Sequence, residues 1–350
     1  MGRTSARHRV TDIATQSGLS RATVDRVLHE REGVRPETVA QVERAMAELD
    51  RQHSQIVLSG TSLIFDLVMQ SPIRFASATR TALERELSSM RPAVLRARSQ
   101  LQEQVDPVAA VAQLEPIAHR GSDGVILKAP DHPAVVAAVD RLVEAGIPVV
   151  TFTSDISGSR RAAHVGLQDR SAGATAAYLI TQWAGREGGV LVTMTSTLSR
   201  NEEQRHVGFR ETLAELAPAR TVHEVTDTDG LDPSMLSGVR ALLTLHPLID
   251  AVYSPGGGNL ATVAAFDELG HAPSVFIAHD LDRDNQRLLR QRRISAVLHH
   301  DLRADMRRAC RLLLQARGVL PGAPATVPSQ VQVVTPYNEP SGLILEPDDD

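Results

Sequence analysis

From residue 62 onward, short apolar runs alternate with amphipathic stretches, and this alternation restricts the fold more than any other feature of the chain. The segments SLIFDLVM, AVLRAR, DGVILKA and IPVVTFT read as strands, with FASATRTALERELSS, DPVAAVAQLEPIAHR and HPAVVAAVDRLVEAG as helices between them. Near-continuous apolar strands joined by helices imply a parallel sheet buried on both faces, because each crossover lays a helix over it. The same grammar then repeats: GGVLVTMT, TVHEVT, AVYSPG, SVFIAH and ISAVLHH are strands, each followed by a helical stretch. Two such units in series predict two doubly wound α/β lobes with a cleft between them. Binding residues are expected just beyond the carboxyl ends of the strands.

The first fifty residues are built differently. Thr11 is placed to cap a short helix, DIATQS, and Gly18 ends it. Ser20 is placed to cap a second helix, RATVDRVL, with Val24, Val27 and Leu28 on one face and Arg21, Ala22, Asp25 and Arg26 on the other. A third helix opens at RPET with Pro36 in its first position, and Val39, Val42, Met46 and Leu49 recur at three- and four-residue spacing. Three short helices around one apolar interior make an all-α bundle. A serine-capped second helix after a glycine turn, with arginines on its first exposed turn, is the form that enters a major groove. The net charge of −5 confines any nucleic-acid contact to such a local patch.

The stretch VTDIATQSGLSRATVDRVLHEREGVRPETVAQVERAMAEL resembles the helix-turn-helix headpiece of the LacI/GalR family of bacterial repressors. The resemblance implies that Arg21 and Ala22 take base-reading positions and that Arg26 reads or flanks a base further along. It also implies that Ser20 and Thr23 bind phosphate, and Thr11 joins the same DNA-facing set. Asp25 stands where the family has serine, so its carboxylate either repels phosphate or accepts from a cytosine amino group. DRQHSQIVLSG lacks the family's hinge-helix pattern, so residues 51–61 are expected to be a short, atypical linker after a headpiece of residues 1–50.

Residues 62–345 resemble the ribose-binding type of periplasmic sugar-binding protein, the effector domain of the same family. The best local matches are GIPVVTFTSDISGSRRAAHVGLQDRSAGATAAYLI, RNEEQRHVGFRETL and FIAHDLD. The expected lobes are residues 62–166 with 301–320 and residues 167–300 with 328–345, followed by an acidic tail at 346–350. The resemblance implies that Arg205 donates to sugar hydroxyls and that Asp280 accepts from a pair of them. It further implies that Gln70 and Phe75 supply a polar group and a stacking aromatic, that His300 lines the cleft, and that either Thr153 or Asp155 binds sugar at the end of the fourth strand. By the residues alone, Arg205 equally fits a helix-surface ion pair with Glu202, and Asp280 equally fits an N-cap for RDNQRLLRQ. In YSPGGGNLATVAAF, three glycines stand where relatives carry an Asn/Asp pair. Backbone amides around Gly257, together with Asn259, are expected to meet the ligand, unless the loop is only a flexible turn.

Other features exclude function classes. Lysine occurs once, at Lys128, which reads as compositional bias and not as a site. The single Cys310 excludes a disulfide framework and a paired-thiol metal motif. No apolar run approaches the roughly 18 residues of a membrane span, and the charged first residues imply a cytoplasmic protein. His279, His299 and His300 lie near Asp280 and Asp301 in a pattern that mimics a triad or metal cluster. Neighbours on a strand point to opposite faces, so His299 and His300 cannot share a pocket. With no HExxH, Walker or Gly-x-Ser-x-Gly motif, no catalytic residue, metal or cofactor is expected. The reading is a ligand-responsive transcription regulator, a repressor acting as a homodimer on double-stranded operator DNA and controlled by a sugar or polyol. A solute-binding transport receptor is the alternative, and the DNA-reading module argues against it.

Overall fold

The computed structural model describes residues 8–31, 33–58, 62–90, 94–185, 188–194, 200–226, 228 and 232–340, with backbone alone over 50–58. The expected acidic tail at 346–350 and the end of the second lobe at 341–345 lie outside these residues.

The headpiece contains α1 (Val10–Ser17), α2 (Arg21–Leu28) and α3 (Pro36–Leu58). Ile13, Ala14, Val24, Val42 and Ala45 form its core. Gly18 ends α1 in the left-handed region, at φ 68°, and its N–H returns to the last turn. Ser20 caps α2 through its Oγ, which accepts from the Thr23 N–H at 3.1 Å. The sequence placed the α1 cap wrongly. Arg9 occupies the N-cap, its carbonyl accepting from the Asp12 and Ile13 N–H groups, so Thr11 lies inside the first turn and only donates to Asp12. Nor is there a separate linker over 51–58: α3 runs on to Leu58, since DRQHSQIVL contains no glycine or proline to stop it.

The first lobe follows as β1 (Ser62–Gln70), α4 (Ile73–Ser89), β2 (Val94–Gln102), α5 (Pro107–Arg120), β3 (Gly124–Lys128), α6 (Pro133–Glu144), β4 (Val149–Phe152) and β5 (Ala163–Val165). Its five strands are ordered β2-β1-β3-β4-β5. The second lobe contains α7 (Asp169–Trp183), β6 (Gly189–Thr193), α8 (Arg200–Leu216), β7 (Val222–Val225), α9 (Asp232–Leu245), β8 (Ile249–Ser254), α10 (Asn259–Glu268), β9 (Val275–His279), α11 (Arg283–Arg290) and β10 (Ala296–His299). The chain then returns to the first lobe with α12 (Leu302–Ala316), whose Met306, Cys310 and Leu313 pack with Phe65, Leu83 and Phe152. It ends in the second sheet with β11 (Gln332–Val334).

The second sheet is ordered β11-β10-β9-β8-β6-β7, so its first five strands repeat the winding of the first lobe. β11 runs antiparallel to β10, which departs from the expected all-parallel sheets. Both β5 and β11 have only three residues, too few for apolar periodicity to register. In each lobe the winding direction reverses between the first and third strands, β1 and β3 in one and β6 and β8 in the other. At such a switch point the connecting loops diverge and leave a crevice beyond the strand ends.

Two glycines bring α7 and α8 into backbone contact. A Cβ on Gly173 would overlap the Arg205 carbonyl oxygen, and one on Gly208 would overlap that of Arg170. This close crossing sets the first residue of α7, Asp169, beside the Arg205 side chain of α8.

Candidate functional site

Arg205 lies at the centre of a buried chain of charges that joins the two lobes. Its side chain is 2% exposed, despite its place in a polar helix. Nε donates to Asp169 Oδ1 at 2.9 Å, one terminal nitrogen donates to the Pro255 carbonyl at 2.8 Å, and Asp280 Oδ2 lies 3.6 Å away. On the far side of Asp280, its Oδ1 is 3.5 Å from His300 Nε2. His300 Nδ1 hydrogen-bonds Asp305 of α12, and Asp305 accepts from Ser329 Oγ at 2.6 Å. The series Asp169–Arg205–Asp280–His300–Asp305 therefore runs from the second lobe into the helix that packs on the first.

The local electrostatics follow from burial and from these partners. Burial opposes the charged form of His300, but the flanking Asp280 and Asp305 carboxylates outweigh it and raise the imidazole to about 9. Burial would raise Asp280, yet the Arg205 guanidinium and His300 hold it well below the usual carboxylate range. Burial lifts Asp169 above its usual range against the pull of Arg205. His299 is lowered to about 4 by burial and by the neighbouring His300. The two histidine rings lie 5.9 Å apart, closer than the expected opposite faces would put them, but take different partners: His299 Nδ1 accepts from the Leu281 N–H at 3.2 Å, whereas His300 meets the carboxylates. His279 pairs with the Tyr253 hydroxyl at 3.0 Å.

Thr153 and Asp280 end the fourth strand of their respective sheets with left-handed backbone, at φ 56° and 61°. A β-branched residue in that region is strained, and such strain concentrates at binding sites. Thr153 Oγ1 and Ser71 Oγ are buried polar atoms without a hydrogen-bond partner. A cavity of about 410 Å³ opens beside Thr153, lined by Thr153, Asp155 and His164 from one lobe and by Asp169, Asn201 and Gln204 among others from the second.

The remaining residues named from sequence are placed as follows. Gln70 is buried, and its side-chain amide is committed to the backbone of Asp106, donating to the carbonyl and accepting from the N–H at 2.9 Å each. Phe75 stacks on Phe152 with ring centroids 6.2 Å apart and lies 6.4 Å from His300. Asp155 lines the cavity, but its carboxylate is held by Arg161 and by Thr151 Oγ1. Asn259 donates to Asn285. Gln70, Phe75, Arg205, Gly257, Asn259, Asp280 and His300 are not among the cavity's lining residues; Arg205 meets it only through its partner Asp169. The surface pair of Arg205 with Glu202 is not found, because the guanidinium turns inward to Asp169. The cap of α11 is Asp282, which accepts from the Asn285 N–H at 2.8 Å, and not Asp280.

Sequence reasoning missed Lys128. It stands at the end of β3, 9% exposed, with Nζ donating to Ser154 Oγ at 3.0 Å. Burial lowers its ammonium to about 8, with the nearby charge of Glu202 opposing that shift. A lone lysine at a strand end, in a chain that otherwise uses arginine, was the available signal. Asp169, Ser154, Asn201 and Glu202 were missed as well, because their roles depend on neighbours distant in sequence. Around the site the lobes touch directly: Arg74 lies 2.7 Å from Asp284 and 3.6 Å from Asp282, Arg200 pairs with Asp131, and Ser154 Oγ donates to Asn201 Oδ1 at 3.0 Å.

On the headpiece, Ser20, Arg21, Ala22 and Arg26 are exposed, and Ser20 Oγ and Thr23 Oγ1 are 2.8 Å apart. Asp25 is not a bare charge: His29 lies 3.2 Å and Arg31 3.5 Å from its carboxylate. No helix among the described residues is long and apolar enough to cross a membrane.

Comparison with known proteins matches residues 68–318 to the periplasmic binding protein domain and residues 9–51 to the bacterial regulatory proteins of the lacI family. The ribose import binding protein of Escherichia coli is 22% identical over 199 residues, 57% of this chain and 67% of that protein. A solute-binding protein from Burkholderia graminis, solved with D-arabinose, superposes with TM-score 0.72 at 22% identity, covering 80% of this chain and 97% of that one. A structure from Bacteroides fragilis described as a LacI transcriptional regulator superposes with TM-score 0.72 at 16% identity, covering 79% and 98%. At these identities the solved structures establish a common fold.

Proposed function

Because the chain belongs to the periplasmic binding protein domain family and carries a lacI-family headpiece ahead of that domain, which makes it a ligand-responsive DNA-binding regulator, we propose that it is a repressor whose effector is a neutral sugar or polyol held between the lobes. The observation that carries the effector assignment is the polar cavity between the lobes, where Thr153 Oγ1 is a buried hydroxyl without a hydrogen-bond partner and faces Asp169, Asn201 and Gln204 of the second lobe. Leaving such an atom unpaired costs roughly 1–3 kcal/mol, and a polyhydroxylated molecule supplies both donors and acceptors to satisfy it. The relatives solved with D-arabinose and D-allose belong to the same fold and support this class.

Ligand and DNA communicate through the angle between the lobes. An effector shifts that angle only to the extent that it binds one arrangement better. In this reading it closes on Arg205, Asp280 and Thr153, and the movement is passed to the headpiece through α3. The regulator acts as a homodimer, with two headpieces reading half-sites about one helical turn apart. Arg21 and Arg26 provide the base-directed contacts, and Ser20 and Thr23 the phosphate contacts.

The direct test is a thermal-shift screen of pentoses, hexoses and polyols, followed by operator selection with and without the best hit. Stabilisation by a neutral sugar that also changes operator affinity supports the reading. A protein that retains operator affinity unchanged in the presence of every stabilising sugar refutes it.

A further inference from the structure

We propose that His164 is a specificity-determining residue of the cavity between the lobes, its Nε2 lone pair accepting the hydrogen of one effector hydroxyl. This inference rests on the effector assignment above and adds to it a named residue and the direction of one hydrogen bond.

The charges around the cavity are the first argument. Four charged side chains line it besides His164, and each is answered within the protein. Arg161 holds Asp155 at 2.6 Å and Arg205 holds Asp169 at 2.9 Å. Arg170 pairs with Glu211, and Arg200 pairs with Asp131 while donating to Ser157 Oγ at 2.8 Å. An ionic effector would have to share or break one of these pairs, whereas a neutral one leaves them intact. Recognition then falls to the neutral polar groups of the lining.

Hydrogen bonding around His164 fixes what that ring can offer. His164 is the middle residue of β5, and its side chain is 12% exposed. The two-pronged contact from Arg161 keeps Asp155 ionised, so that carboxylate only accepts. Thr151 Oγ1 lies 2.9 Å from Asp155 Oδ1 and gives its one hydrogen there. The same oxygen is 3.0 Å from His164 Nδ1 and therefore accepts from it. Asp155 Oδ1, 3.6 Å from Nδ1, favours the same placement of the ring proton. Burial opposes a second proton and holds the imidazole below its ordinary range. Nδ1 thus carries the hydrogen, and Nε2 carries a lone pair.

That lone pair is left open. No described residue is hydrogen-bonded to Nε2. Gly166, two positions further along the chain, makes room for it: a Cβ there would lie 2.6 Å from Nε2. Side chains two apart on a strand share a face, so any larger residue at 166 would cover this edge of the ring. An acceptor without a hydrogen selects a donor. A ligand hydroxyl satisfies it, whereas a carboxylate, a ketone or an ether oxygen brings only lone pairs.

The test uses full-length protein labelled with ¹⁵N-histidine, with D-arabinose, D-allose and D-tagatose as probes and calorimetry in parallel. The ring signals of His164 are identified by their loss in His164→Leu. In the wild type Nδ1 should be the protonated nitrogen, and a bound sugar should move the Nε2 resonance without protonating it. His164→Leu should weaken that sugar roughly tenfold or more, and His164→Gln, which returns an acceptor near the Nε2 position, should recover part of the loss. Among the monodeoxyfluoro analogues of the sugar, which keep an acceptor but lose the donor, one should bind the wild type at least tenfold more weakly and carry no penalty against His164→Leu. A proton found on Nε2 in the free wild type overturns the inference, as does a His164→Leu variant that folds and binds sugar as the wild type does. Should His164→Leu fail to fold, His164→Gln identifies the signals, and an Nε2 resonance unmoved by a bound sugar overturns the inference. In each of these cases the sugar assignment stands. A wild type silent to the three sugars and to the wider screen refutes the effector assignment and the role of His164 together.

Discussion

Thr153 and Asp280 occupy the same place in the two lobes, each the first residue after the fourth strand of its sheet and each with a positive φ, 56° and 61°. Aspartate tolerates this conformation, whereas threonine does not, because its branched Cβ crowds the backbone. The repeated winding brings both residues to the cleft, and Thr153 keeps a buried hydroxyl there without a partner.

Thr153→Gly should release strain of order 1–3 kcal/mol and lose about 0.5–1 kcal/mol to glycine's extra freedom when unfolded. The expected result is a protein more stable by about 1 kcal/mol in urea denaturation that binds its sugar more weakly in calorimetry. A variant less stable than wild type would show that the hydroxyl is structural.

Arg205, itself buried, is the counter-charge for two partly buried carboxylates, Asp169 and Asp280, and removing it leaves both without their cation. Arg205→Met should destabilise the effector domain by about 3–5 kcal/mol. Adding Asp169→Asn should restore part of that loss, since it removes one of the stranded charges. Chemical denaturation of the single and double variants checks the non-additivity.

Gly173→Ala places a methyl group against the Arg205 carbonyl oxygen. Overpacking at such a contact costs roughly 1–3 kcal/mol, and it also moves α7 away from α8 and Asp169 from Arg205. Loss of stability together with loss of sugar-induced thermal shift is expected. Gly121→Ala, at a position with nothing within 4 Å of the added carbon but a φ of 78°, should lower stability without affecting the sugar response.

The site also makes stability depend on pH. His300 is raised from 6.5 to about 9 in the folded protein, so between those values the native state holds a proton that the unfolded chain has released. Its stabilising contribution is complete below pH 6.5 and is lost as pH climbs through 9. Lys128, lowered from 10.5 to about 8, acts oppositely, its contribution growing as pH rises from 8 to 10.5. The difference between wild type and His300→Gln isolates the histidine: unfolding free energies measured from pH 6 to 9.5 should converge toward the alkaline end, and a constant difference would refute the assignment.

On the headpiece, the Asp25 carboxylate lies 3.5 Å from Arg31 and 3.2 Å from His29, on the helix proposed to meet DNA. Asp25→Ser should tighten binding to all sequences and steepen the dependence of log affinity on log salt by about one phosphate contact. Arg21→Ala should instead relax preference at one base position, worth roughly 1–3 kcal/mol. Binding assays on an operator library at two salt concentrations separate these outcomes.

Much of the fold was legible in the sequence because it is governed by local periodicity. Strands such as SLIFDLVM and helices such as HPAVVAAVDRLVEAG announce themselves by burial pattern, and the glycine turn and serine cap of the headpiece are encoded within a few residues. The elements that escaped were β5 and β11, each too short for a period, and the start of α1, where the Arg9 carbonyl rather than the Thr11 hydroxyl begins the hydrogen-bond ladder.

The sequence by itself determined that this chain has a helical headpiece and two wound lobes, since repeating apolar spacing and capping residues act over a few positions, and the headpiece's DNA-reading role came from its resemblance to a family. Only the tertiary structure decided which charges meet. Arg205 found Asp169 and not the nearer Glu202 because two glycines let α7 and α8 touch, and Lys128 met Ser154 because β3 and β4 lie side by side in the first sheet. Coulombic and hydrogen-bonding partners are chosen by distance in space, and a linear order of residues does not contain that distance until the backbone has been packed.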